Sequence, residues 1–167
     1  MKKFDILTME QFSVQEIRDL LHDAFLFSNS HKDWQLTRSR LVANLFFEPS
    51  TRTHYSFVSA EHQLGIKVID FQPSTSSLNK GESLYDTVKT FQEIGMDALV
   101  IRHVKDRYFD ELKDISIPII NGGDGSGNHP SQSLLDLYTI YEEFGKFEDL
   151  NLLIVGDIKH SRVAHSD

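Results

Sequence analysis

Alternating strand and helix signals predict an α/β fold. The expected form is a three-layer α/β/α domain around a mostly parallel sheet of about four strands, plus the beginning of a second similar domain. Three observations carry this. Apolar runs of strand length recur between helical segments at the spacing of βαβ units. Three of the candidate helices close on a glycine, at positions 65, 95 and 145. Three polar motifs fall just after the first, third and fourth strands, where ligands of such sheets bind.

The elements follow in order. Ser13 and Glu16 form a capping box, which predicts a helix running through Leu20, Leu21 and Ala24 to about Phe25. The apolar run Arg40 to Phe47 reads as a buried strand, broken by Glu48-Pro49-Ser50-Thr51. Arg52 to Leu64 predicts a helix with Tyr55, Phe57, Val58 and Ala60 available for packing. Ile66 to Phe71 is a second strand, and Gln72 to Lys80 a polar loop. A helix over Glu82 to Ile94 leads to a third strand, Asp97 to Arg102. A short helix around Arg107 to Leu112 precedes a fourth strand, Ile115 to Asn121. Gly122 to Gly127 reads as a glycine-rich loop, and Pro130 suits the first turn of a helix ending near Phe144. Leu152 to Val155 reads as a fifth strand. A strand with one turn after it cannot form a domain. Residues 1–145 are therefore expected to be one domain, and residues 146–167 the start of a truncated second one.

Composition narrows the function classes. With 40% hydrophobic and 25% charged residues in 167, the chain is globular in character and long enough to bury a core. It has no cysteine, which excludes a disulfide framework, a thiolate nucleophile and a Cys-based zinc site. That fits a reducing, cytoplasmic setting. The net charge of −8 argues against general nucleic-acid binding. No run approaches the roughly 18 consecutive apolar residues of a membrane helix. The eight His residues are scattered, and His160 and His165 are read as non-metal. No metal or cofactor is expected. A nucleotide P-loop is excluded because Gly122 to Gly127 is not followed by Lys-Ser.

The most informative segment is Phe46-Phe47-Glu48-Pro49-Ser50-Thr51-Arg52-Thr53, where a strand ends and a helix begins. The first N–H groups of a helix lack internal partners, and the helix dipole favours negative charge there. Ser50, Thr51 and Thr53 add hydroxyls, and Arg52 adds a planar fork matched to phosphate oxygens. The alternative is a capped helix with a solvated arginine.

This octet resembles the carbamoyl-phosphate motif of the aspartate and ornithine carbamoyltransferases. Asn128-His129-Pro130-Ser131-Gln132 with Leu134-Leu135-Asp136-Leu137 is similar to the family's His-Pro-x-Gln motif. Val155-Gly156-Asp157 with Arg162 resembles the start of the family's second domain. Glu48-Pro49, His54 and the loop Ser76-Ser77-Leu78-Asn79-Lys80-Gly81-Glu82 point to the aspartate branch rather than to ornithine or another acceptor.

The resemblance implies roles. Ser50, Thr51, Arg52 and Thr53 would hold the phosphate of carbamoyl phosphate. Arg102 would reach phosphate and carbonyl, and His129 would stabilise the oxyanion together with Thr53 and Arg102. Gln132 would bind the carbamoyl amino group. Arg162 and Lys80 would meet L-aspartate, with Lys80 and Ser76 or Ser77 reaching a neighbouring subunit's site in a homotrimer. Glu48 would partner arginines across the domain boundary. A regulatory or pathway partner is compatible with this family, and a non-catalytic phosphate-binding module is the remaining alternative.

Overall fold

The computed structural model describes residues 4–29, 34–73 and 81–166. Helix α1 spans Val14–Asn29. The capping box forms as expected: Glu16 N–H donates to Ser13 Oγ at 3.2 Å, and Ser13 N–H donates to Glu16 Oε2 at 2.8 Å. The helix runs a turn beyond the expected end near Phe25. Strand β1 is Leu41–Phe46, helix α2 is Thr51–Gln63, and β2 is Lys67–Asp70. Helix α3 is Leu84–Glu93 and β3 is Ala98–His103. Strand β4 is Ile119–Asp124, α4 is Pro130–Phe144 and α5 is Arg162–Ser166.

All pairings in the sheet are parallel, and the strand order is β2-β1-β3-β4. Alternation along β1 splits the core. Ala43 and Leu45 pack with Val88 of α3, Leu99 and Ile101 of β3, and Tyr108 and Leu112 beyond it. Val42 and Phe46 face the other way and pack with Val100, Phe57 of α2 and Ile66. Burial on both faces explains why β1 reads as a continuous apolar run. Helix α4 packs against β4, and α1 packs against α4.

The chain runs from β1 out to β2, then returns to place β3 on the other side of β1. The strand order therefore reverses between β1 and β3. Helices leave the sheet in opposite directions at such a point, which opens a crevice beyond the carboxyl ends of the two strands. Phe47 N–H donates to Arg102 O at 2.9 Å, so the sheet stays closed up to the lip of that crevice.

Three expectations are corrected. The segment around Arg107 to Leu112 forms only a 3₁₀ turn, Tyr108–Glu111. Strand β4 lies later than expected, because Asn121 pairs with Ile101 of β3 and Asp124 pairs with His103. Gly122, Gly123 and Asp124 therefore belong to the strand rather than to the glycine-rich loop. The segment 152–155 forms no strand: Leu153 and Val155 are each 83% exposed. Among the described residues it has no ladder partner, and an extended segment without one has no sheet to join.

Among the described residues, no helix is long and apolar enough to cross a membrane, and no group of three or more His, Asp or Glu is disposed to hold a metal ion.

Candidate functional site

A cleft of about 1100 Å³ opens at the crevice between β1 and β3. It gathers Ser50, Thr51, Arg52, Thr53, Arg102, His129, Gln132 and Arg162. Residues up to 112 positions apart in sequence thus share one cavity, because their elements end at the same edge of the sheet.

The first wall is the N-terminus of α2. Ser50 is its N-cap in extended conformation, and its side chain makes no capping hydrogen bond. The first backbone N–H to find a helical acceptor is that of His54, which donates to Ser50 O at 3.4 Å. The N–H groups of Thr51, Arg52 and Thr53 are the helix's orphan donors, and they lie at the cleft. The helix N-terminus of α4 reaches the same cavity. His129 is its N-cap, Pro130 follows, and again no side chain caps it.

The second wall is a charge network. Glu48 Oε1 accepts from Arg102 Nε at 2.6 Å and lies 2.8 Å from Arg162 Nη1. The three side chains are 15–19% exposed. Burial raises the Glu48 carboxyl, but Arg162 and Arg102 outweigh it and hold it below the usual carboxylate range. Burial lowers the Arg102 guanidinium, the Glu48 bond opposes this, and the charge of Arg162 adds to the depression. Two guanidiniums around one carboxylate leave a net positive charge. The buried Nη1 of Arg162 has no aligned hydrogen-bond acceptor among the described residues. Arg102 Nη1 also donates to Gly122 O at 3.3 Å and to Thr53 Oγ1 at 3.4 Å, which links the two walls.

Gly123 makes this packing possible. A Cβ at this position would lie 2.7 Å from Arg162 Nη1 and 3.3 Å from Arg102 Nη1, and its φ of +120° disfavours any side chain.

His129 is buried at 5% exposure. Burial and the charges of Arg102 and Arg162 lower its pKa to about 4, so the imidazole is neutral at pH 7. Ser131 Oγ lies 3.3 Å from its Nδ1. A hydroxyl donating there leaves the ring proton on Nε2, as a hydrogen-bond donor. Gln132 Nε2 donates to Asp136 Oδ1 at 3.0 Å, which leaves the amide oxygen as an acceptor.

The structure therefore brings together eight of the sequence-predicted residues with Glu48 behind them. Lys80, Ser76 and Ser77 lie outside the described residues. Sequence reasoning missed Glu48 as the partner of Arg102 within the same domain. It also missed Ser166, whose Oγ accepts the His129 N–H at 2.7 Å. The signal for the first was available: Glu48 and Arg102 stand at the ends of the two strands flanking the reversal.

The profile described as "Aspartate/ornithine carbamoyltransferase, carbamoyl-P binding domain" matches residues 5–142. The chain belongs to the aspartate/ornithine carbamoyltransferase family. A curated relative in this family, the aspartate carbamoyltransferase catalytic subunit of Staphylococcus saprophyticus, is 57% identical over 163 residues, covering 98% of this chain and 54% of that protein. Aspartate transcarbamoylase from Trypanosoma cruzi, in complex with carbamoyl aspartate and phosphate, superposes with a TM-score of 0.92 at 38% identity, over 99% of this chain and 54% of that one. The same enzyme in complex with N-(phosphonacetyl)-L-aspartic acid superposes at 0.88 and 37% identity, over 99% of this chain and 52% of that one. The chain thus spans about half the length of these carbamoyltransferases.

Proposed function

We propose that this chain supplies the carbamoyl-phosphate half of an aspartate carbamoyltransferase, which transfers the carbamoyl group to the amine of L-aspartate and releases phosphate. The single observation that carries this reading is the cleft itself. It joins two uncapped helix N-termini, three arginines and a neutral buried histidine. Such a cavity suits a small dianion with a reactive carbonyl.

In this reading the α2 turn, Ser50 to Thr53, holds the phosphate. Arg102 bridges phosphate and carbonyl oxygen. His129 donates from Nε2 to that oxygen, and Thr53 Oγ1 assists. Gln132 accepts from the carbamoyl amino group. The aspartate nitrogen attacks the carbamoyl carbon, and the tetrahedral oxyanion forms where these donors converge. The bond to the phosphate oxygen then breaks, with its electron pair and the amine proton leaving on phosphate. No protein nucleophile is needed, so positioning and electrostatics supply the rate.

Arg162 and Lys80 belong to the acceptor side, and Glu48 holds Arg162 at the boundary. Residues 1–145 form the carbamoyl-phosphate domain, and residues 146–167 lead into an aspartate-binding one. The assembly is a homotrimer in the cytoplasm, with Lys80 and Ser76 or Ser77 entering a neighbour's site. By itself the chain binds its ligand but is a poor catalyst.

Calorimetry of this chain with phosphonoacetamide, a stable carbamoyl-phosphate analogue, tests the reading. Saturable binding is expected, and absence of binding would refute it. A chimera joining this chain to the part of the Staphylococcus saprophyticus relative that it does not span tests the acceptor. Turnover with L-aspartate and none with L-ornithine is expected. The reverse pattern would reassign the acceptor.

A further inference from the structure

Asp124 ends β4 with its side chain completely buried. Its Oδ2 accepts the backbone N–H of Arg107 at 2.7 Å and Asn128 Nδ2 at 3.2 Å. Its Oδ1 accepts the backbone N–H of Asn128. The main chain closes the same loop: Asp124 N–H donates to Asn128 O at 3.0 Å, and Gly127 N–H donates to Asp124 O at 2.9 Å. No cation bonds this carboxylate among the described residues; only amide donors do.

We propose that Asp124 is a positioning residue for His129, holding the β4–α4 loop in the shape that presents the imidazole to the cleft. The inference rests on the reading of His129 as the donor to the carbamoyl oxygen. Asn128 is the residue next to His129, and Asp124 grips it at three points: its N–H, its carbonyl and its side-chain amide. Little freedom remains at the His129 Cα. The second donor to Oδ2, the Arg107 N–H, ties the loop to the segment that follows β3, the strand that carries Arg102. Asp106 assists from the outside, where its Oδ1 accepts the Ser126 N–H at 2.7 Å.

The chemistry of the site demands a carboxylate. An ionised carboxylate only accepts hydrogen bonds, and here every partner is a donor. Asparagine has nearly the same shape but turns an NH₂ group toward at least one of these N–H groups. The buried amides then lose their acceptor, and the loop must open to find water. Asp124 does not line the cleft, so it acts through His129 and not on the ligand.

Asp124→Asn is the test, read in two ways on this chain. In calorimetry, affinity for inorganic phosphate should stay within about threefold of native, because phosphate has no carbamoyl oxygen for His129 to meet. The additional affinity for phosphonoacetamide over phosphate should fall by about tenfold, the worth of one lost hydrogen bond. In an NMR titration of the ¹³C-labelled imidazoles, the His129 midpoint should rise from about 4 toward the free-imidazole value of about 6.5 as the ring leaves its pocket. An unchanged phosphonoacetamide increment with an unchanged His129 midpoint would overturn the proposal. So would an equal loss for both ligands, which would mark a purely structural role. The titration needs no ligand, so it decides the positioning even where native protein binds neither probe, an outcome that counts against the proposed function alone. Should Asp124→Asn fail to fold, Asn128→Ala removes only the 3.2 Å donor. It should show the same split at smaller size, and no change in either readout would again overturn the idea.

Discussion

The α2 wall of the cleft offers backbone amides and hydroxyls on a half-exposed helix start, whereas the second wall, with His129 beside it, offers a largely buried cluster of Glu48, Arg102, Arg162 and His129. The first is preorganised by the helix itself, since orphan N–H groups come with any helix start. The second has no local reason to exist. Two guanidiniums come together only because one carboxylate sits between them and a glycine leaves them room. The difference teaches that one wall is set by local helix geometry and the other by residues brought together from afar, the two being joined at the Arg102–Thr53 contact.

The sharpest way to break the second wall is Glu48→Gln. It leaves two buried cations facing each other, and removing one partner of such a group costs about 3–5 kcal/mol. Thermal unfolding should show that loss, and added inorganic phosphate should restore more stability to the variant than to the native chain. Equal rescue of both would mean that phosphate does not reach the arginines.

His129→Ala tests whether the two walls have separate jobs. In the chimera, kcat should fall on the order of a hundred- to a thousand-fold, the usual cost of an oxyanion donor, while inorganic phosphate binding to this chain changes little. Equal losses in both would merge the two walls into one.

Acid should damage the second wall first. The native His129 pKa is about 4, below the unfolded value of about 6.5, so the unfolded state takes up the proton first as pH falls. Stability is then fully present above pH 6.5 and is lost as pH falls through 6.5 toward 4, by up to about 3 kcal/mol. Urea unfolding across that window should show the slope, and His129→Gln should flatten it.

The smallest effect belongs to the first wall. Ser50 occupies the N-cap but makes no capping bond. Ser50→Ala should therefore change stability by less than about 0.5 kcal/mol, where a true cap costs about 0.5–2 kcal/mol. Phosphonoacetamide affinity should fall nonetheless. A full capping loss without loss of affinity would return Ser50 to a structural role.

Much of this was legible in the chain. The capping box at Ser13 and Glu16, the buried runs of β1 and β3, and the glycine after α4 each state a local preference that the fold obeys. Gly145 takes a φ of 69° at the end of α4, as its position suggested. The two misreadings of strands share one cause. Residues 152–155 have strand composition, but a strand exists only when a partner supplies its hydrogen bonds. Gly122 and Gly123 look like loop, yet pairing with β3 draws them into the sheet. Asp124, hidden in a glycine-rich stretch, gave no hint that its carboxylate would be fully buried.

Sequence alone determined the parallel α/β order, the helix start after Ser50 and the family of the Ser50–Thr53 and His129–Gln132 motifs, because these depend on residues close together in the chain. Tertiary structure decided where the strand order reverses, which charges Glu48 holds, and that His129 is buried and neutral. Those properties depend on distances between residues tens of positions apart, and on the low dielectric that only a folded interior provides.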